Sequence, residues 1–149
     1  MSSALYTNEV LDLIEKATGQ EKLKLIYEYG SKHPFNMIFS LNFNHKIRLD
    51  LPEGMPPYRR DEVTHFDLFP STLAKEIRRL MPLRIVVGGK KLPRMQREGI
   101  FTQVLESIAP KEADVIIFAK DHALTELYPS ITPELMASVF PFYVVAKDA

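Results

Sequence analysis

No cysteine occurs anywhere in the chain. That absence excludes disulfides, thiol nucleophiles, thiolate zinc sites and iron–sulfur ligation, and it suits a reducing cytosol. Long apolar runs are missing too. The longest candidates, Val115–Ala119 and Phe142–Ala146, fall far short of the ~20 residues that span a bilayer, so no membrane partner is expected. The opening Met1-Ser2-Ser3-Ala4 has neither the basic nor the apolar region of a secretory leader, and none is expected. Nor is there an excess of charge of either sign. The chain carries 19 basic and 19 acidic residues, whereas a dedicated nucleic-acid binder is usually basic overall. No internal repeat of fixed period and no low-complexity tract appears.

Catalytic motifs are equally scarce. Gly88-Gly89-Lys90-Lys91 superficially suggests a phosphate cradle, but Leu92-Pro93 follows where a P-loop needs a Ser or Thr opening a helix, so a plain turn is the simpler reading. His33, His45, His65 and His122 show no i, i+4 spacing and no zinc-binding pattern. Asp121-His122 reads as a polar turn after a helix. No serine sits in a G-x-S-x-G elbow. Glu112 and Asp114, two residues apart, face different ways on a helix and read as solvated first-turn acids. The expectation is therefore no catalytic residue, no metal, no cofactor and no enzyme activity.

What is present is an ordinary globular composition, 46% apolar and 26% charged, with enough length to bury a real core. Val10, Ile14 and Ala17 recur at helical spacing, with Thr7 and Asn8 as candidate caps and Gly19 as a stop. Leu23, Ile26 and Tyr27 mark the apolar face of a second helix ending at Gly30. Phe35, Ile38 and Phe39 mark a third, and Leu73, Ile77, Leu80 and Met81 a fourth that Pro82 truncates. Arg97, Ile100, Phe101, Val104, Leu105 and Ile108 fit a further helix behind Pro93. "EADVIIFAK" after Pro110 is apolar nearly all round, hence a central buried helix or a buried strand. Thr132-Pro133-Glu134 has the cap, first-position proline and acid of a last helix, with Leu135, Met136, Val139 and Phe140 behind it and Pro141 ending it. The expectation is an all-α fold, a compact array of six to seven short helices in one domain covering residues 1–149. The alternative is α+β, with a small sheet from Arg84–Val87, Val115–Ala119 and Phe142–Ala146.

"LPEGMPPYRRDE", Leu51 to Glu62, interrupts the helical pattern with three prolines and a glycine. Pro56-Pro57 removes two backbone donors and biases the chain toward polyproline II. Residues 51–70 are thus expected to form an ordered proline-rich loop. Its candidate partner-binding residues are Pro52, Glu53, Pro56, Pro57, Tyr58, Arg59, Arg60, Phe66, Leu68 and Phe69. "THFDLFP" resembles the short apolar-acidic peptides that dock into sliding clamps. Its plainer reading, a hydrophobic plug tying the loop to the domain, outweighs that. A second candidate surface is basic: Arg78, Arg79, Arg84, Lys90, Lys91, Arg94 and Arg97 fall in one stretch without an acid. If they converge they could track a phosphate backbone; the commoner reading is a solvated face.

Three blocks, "LPEGMPPYRRDE", "REGIFTQVLESIAPKEADVIIFAKD" and "LTELYPSITPELMASVFP", resemble an uncharacterised protein family of large T-even-like contractile-tailed bacteriophages and their cyanophage relatives. The distinctive elements are Leu51-Pro52-Glu53-Gly54 with Pro56-Pro57-Tyr58, the Leu105-Glu106 helix and Lys120-Asp121. "MPLRIVVGGKKLP" and the "FYVVAKDA" tail depart from the pattern. The resemblance carries no catalytic residue. It implies a phage origin, residence in the cytoplasm of an infected bacterium (or in the virion), and a non-enzymatic accessory role. Three readings follow: a protein that binds a host or phage protein through the proline-rich loop; a nucleic-acid-associated replication or transcription accessory factor; or a virion or assembly component.

Overall fold

The computed structural model describes residues 5–60, 69–85 and 92–146. The expectations placed on residues 61–68 of the proline-rich loop, Phe66 and Leu68 among them, on Lys90 and Lys91, and on the end of the Arg84–Val87 strand, lie outside those residues. Within them the chain forms seven α-helices: α1 (Thr7–Lys16), α2 (Gly19–Gly30), α3 (Phe35–Phe43), α4 (Leu73–Glu76), α5 (Arg94–Ser107), α6 (Pro110–Lys120) and α7 (Pro133–Val139). Tighter 3-10 segments follow α4, α6 and α7, at Ile77–Leu83, Leu124–Glu126 and Pro141–Tyr143. The fold is all-α. Among the described residues the only strand-like pairings are two isolated bridges, Asn44 with Val145 and Leu49 with Arg84, and there is no sheet. The α+β alternative fails because Val115–Ala119 lies inside α6 and Phe142 lies in a 3-10 turn, which leaves single bridges where strands were considered.

The centre of the molecule is α6. Pro110 occupies its first position, where the missing N–H costs nothing. Ala113, Val115, Ile116, Ile117 and Ala119 are all buried beneath α1, α3, α4 and the Leu124–Glu126 turn, while Lys111 is exposed and Asp114 and Phe118 are half-buried along the remaining strip. Around it Leu11, Ile14, Ile26, Ile38, Phe39, Leu73, Ile77, Leu80, Val104 and Leu105 complete one hydrophobic cluster. Each fully buried side chain of this kind contributes about 1.5–3 kcal/mol.

Two polar residues inside this core run against expectation. Glu112 is 1% exposed, and its carboxylate accepts the backbone N–H of Thr7 (3.0 Å) through one oxygen and of Leu73 (3.0 Å) through the other. Thr7 and Leu73 open α1 and α4, whose first N–H groups have no partner within their own helices. The supposed solvated acid is thus a buried double cap. Asp114, half-buried, forms an ion pair described below. On α2 the buried face is Lys22, Ile26 and Gly30, while Tyr27 is 68% exposed. Lys22 extends its ammonium to the Glu15 carbonyl (3.0 Å) and the Ser130 hydroxyl. Gly30 admits the Phe140 ring so closely that a Cβ there would lie 2.5 Å from it. The helix boundaries shift for similar reasons. Thr7 and Asn8 lie inside α1, and Gly19, at φ +56°, begins α2.

A clamped proline-rich ridge as candidate functional site

Residues 51–60 form an ordered ridge along the outer side of α5 and α6. Leu51 and Tyr58 pack partly against the core. Between and beyond them the backbone is fixed by polar ties from the two helices. The Lys120 side chain, 2% exposed, donates to the carbonyls of Pro52 (2.9 Å) and Gly54 (3.2 Å) and to Asp121 Oδ1 (2.7 Å). An ammonium has three N–H donors, so all are used. Asp121 Oδ2 in turn accepts the Gly54 N–H (2.8 Å). Gly54 sits at φ +85°, a left-handed conformation that glycine adopts without penalty, and this geometry lets one residue give its N–H to Asp121 and its carbonyl to Lys120.

Two further ties hold the distal half. Glu106, on α5, accepts the Arg59 N–H (2.8 Å). Arg60 makes a bidentate pair with Asp114 of α6 (2.9 and 3.0 Å) and donates to the Tyr58 hydroxyl (2.8 Å). The planar guanidinium matches a carboxylate with two parallel bonds, which fixes orientation as well as position. Both side chains of that pair are about a quarter exposed or less (22% and 25%).

With the backbone so held, Pro52, Glu53, Met55, Pro57 and Arg59 face solvent, and Pro56 is half-buried. Met55 leaves 52% of its surface in water. Hollows flank the ridge. One, about 530 Å³, is polar and lined by His45, Arg48, Leu49, Leu51, Glu53, Lys120, Asp121 and His122. The other, about 340 Å³, lies over α6, with Met55, Ile117, Phe118 and Ala123 as its apolar lining and Glu53, Asp121 and Glu126 as its acids.

The sequence-derived partner residues are therefore divided. Pro52, Glu53, Pro57 and Arg59 lie outward on the ridge, whereas Tyr58 and Arg60 turn inward as part of its clamp. Phe69 is half-buried. The basic candidates do not stand together as free cations. Arg79 is bonded to Glu76 (2.9 Å) and Gln103 (2.8 Å), and Arg94 to Glu98 (2.6 Å). Arg97, half-buried, bonds the Asp50 carbonyl (2.9 Å) and the Leu92 carbonyl. Arg84 folds back on the Met81 carbonyl (3.1 Å). Arg78 is exposed. Among the described basic candidates, acids thus hydrogen-bond Arg79 and Arg94, and backbone carbonyls engage Arg84 and Arg97.

Sequence reasoning did not bring His45 and His122 together. Their rings stack at 4.3 Å between centroids, 20° from parallel. His122 is held at φ +56°, and its Nδ1 donates to the Asn42 carbonyl (2.9 Å) while Nε2 is buried without a partner. Parallel imidazoles do not aim two lone pairs at one point, and among the described residues no group of three His, Asp or Glu side chains could hold a metal ion. No helix among them is long and apolar enough to cross a membrane. Met55, Glu106, Glu126 and the apolar floor of the second hollow were also missed, because they come together only through contacts distant in sequence.

Comparison with known proteins matches residues 10–126 to the model of a family of unknown function, DUF6433. No curated protein and no solved structure matches the chain.

Proposed function

The chain belongs to the DUF6433 family, for which no activity is described, and from its geometry we propose that it is a small non-enzymatic accessory protein that binds another protein through the ridge of residues 51–60. The observation that carries this reading is the division of labour along the ridge. Its inward groups are committed to Lys120, Asp121, Glu106 and Asp114. Its outward Glu53 and Arg59 side chains have no polar partner among the described residues, and Met55 is half in water. A loop serving only as a clasp needs the first set and has no use for the second. A surface fixed before binding also loses little conformational entropy when a partner arrives, which favours affinity.

The resemblance to a phage family extends the proposal: the protein is of phage origin, resides in the cytoplasm of the infected bacterium, and takes a host or phage protein as partner. Less supports the nucleic-acid reading, since Arg79, Arg94 and Arg97 are already engaged. Pull-down from infected cells tests the protein-binding reading. The control is the Met55→Glu/Arg59→Glu variant, which keeps every ridge tie. The partner should be captured by the wild-type chain and lost from the variant. Equal recovery on both sinks the idea.

A further inference from the structure

The hollow between the ridge and α6 restricts what the partner can be, and this step rests on the protein-binding reading above. Its lining is apolar at Met55, Phe118 and Ala123, with Ile117 beneath at 2% exposure. Its acids are Glu53, Asp121 and Glu126, and among the described residues no lysine or arginine lines it. Asp121 is neutralised, with one oxygen on Lys120 and the other on the Gly54 N–H. Glu53 and Glu126 are exposed, and neither carboxylate has a polar partner among the described residues. Lys120 of α6 is buried, with its donors consumed by Pro52, Gly54 and Asp121. An apolar floor beside two uncompensated carboxylates is complementary to one chemistry: a large apolar side chain carried next to basic ones.

We propose that this hollow is the docking site for a basic-apolar segment of the partner protein, with an aliphatic or aromatic side chain seated on Met55 and Phe118 and Lys or Arg side chains set against Glu53 and Glu126. Apolar anchors supply most of the affinity in such complexes, and the rim charges supply selection and encounter rate. An acidic partner is rejected by the same two carboxylates.

The test is selection of a displayed library of random peptides on the full-length protein. Synthetic peptides matching the enriched sequences are then titrated by fluorescence anisotropy against three proteins: wild type, Glu53→Lys/Glu126→Lys, and Pro57→Gly/Arg59→Ala. Both altered glutamates are exposed and unpaired, so the charge-reversed protein keeps its fold, which circular dichroism verifies. Enriched sequences should combine a large apolar residue with neighbouring Lys or Arg. Charge reversal should weaken them roughly tenfold, because two exposed attractions become repulsions, and added salt should weaken wild-type binding. Acidic or uncharged enriched sequences overturn the inference, as does binding indifferent to charge reversal. If those peptides remain sensitive to Pro57→Gly/Arg59→Ala, the ridge reading survives and only the partner chemistry is wrong. If no peptide is enriched, or none is sensitive to either variant, both fail. Self-association of the wild-type chain that blocks peptide binding replaces the foreign segment by a second copy and likewise overturns the assignment.

Discussion

Replacing Lys120 with methionine removes the ridge's principal anchor while preserving chain length and apolar volume. Three bonds disappear: to the Pro52 carbonyl at 2.9 Å, the Gly54 carbonyl at 3.2 Å and Asp121 Oδ1 at 2.7 Å. Hydrogen bonds from a charged donor contribute about 1.5–3 kcal/mol each, but the loss is smaller than their sum. Pro52 and Gly54 are exposed residues, so their carbonyls regain water. Asp121 keeps the Gly54 N–H and is 18% exposed, so its charge stays partly solvated. The methionine also spares the protein the burial of an ammonium. A net cost of about 2–4 kcal/mol follows, within the ~5–15 kcal/mol stability of a domain this size, so the protein still folds. Urea unfolding measures the total. Amide hydrogen exchange locates it: protection should fall first at Gly54, whose tie to Asp121 has lost its support. It should fall less at Arg59, which Glu106 holds independently at 2.8 Å, and within α6 only as far as global stability falls. A loss under about 0.5 kcal/mol, or Gly54 and Arg59 amides weakening in step with the global value, would refute the view that Lys120 clamps the ridge.

Other substitutions probe the remaining supports. Glu112→Gln leaves one acceptor oxygen for the two amides of Thr7 and Leu73, so one helix start loses its partner and urea unfolding should register about 2–3 kcal/mol. Gly54→Ala meets nothing within 4 Å and pays only for φ +85°, about 1 kcal/mol. Gly30→Ala forces its Cβ to within 2.5 Å of Phe140, and the core must shift at a cost of about 1–3 kcal/mol; the reverse ranking would contradict both assignments. Glu76 is held below its ordinary pKa, first by the Ser71 hydroxyl and then by Arg79. A depressed folded pKa stabilises above the unfolded value and is lost as pH falls through the folded one. The stability gap between wild type and Glu76→Gln should therefore be full near neutrality and close below about pH 4.5, as followed by thermal melts across pH; a gap that widens on acidification counts against it.

Local signals were legible where one stretch of sequence held both the element and its cause. Thr132-Pro133-Glu134 is the clearest: the Thr132 hydroxyl does accept the Leu135 N–H (3.1 Å), and Met136 is buried. Phe35, Ile38 and Phe39 likewise all face the core. The periodicity of α6 was ambiguous because a helix buried over most of its surface and a buried strand leave much the same apolar run. The misread face of α2 has a different origin. Lys22 and Gly30 do not look like core residues, but an ammonium with buried acceptors and a gap filled by Phe140 make them so. The ridge is the extreme case. Its ties join residues 47 to 68 positions apart, and no spacing rule reaches that far. The proline-rich composition raised the expectation of a stiff loop; it could not identify what ties residues 51–60 down.

The ties of the ridge have both partners inside the stretch that matches the family, residues 10–126: Pro52 and Gly54 with Lys120 and Asp121, Arg59 with Glu106, Arg60 with Asp114. Phe140, Phe142, Tyr143 and Val145 lie beyond it. That later segment closes a separate part of the core. Phe140 packs onto Gly30, the Tyr143 hydroxyl donates to the Gly30 carbonyl (2.8 Å), and the backbone of Val145 pairs with Phe43 and His45 (3.2 and 2.9 Å). Apolar side chains could cover α6 as well as charged ones do, and often with equal stability. What Asp114 and Lys120 add is position: each fixes one named point of the ridge at one place on the helix. Charged groups placed in a core helix to set the register of a surface loop make sense when the loop's shape matters to something outside the molecule. On the protein-binding reading proposed above, the contacts of such a partner belong on the ridge rather than on the segment of Phe140, Phe142 and Tyr143.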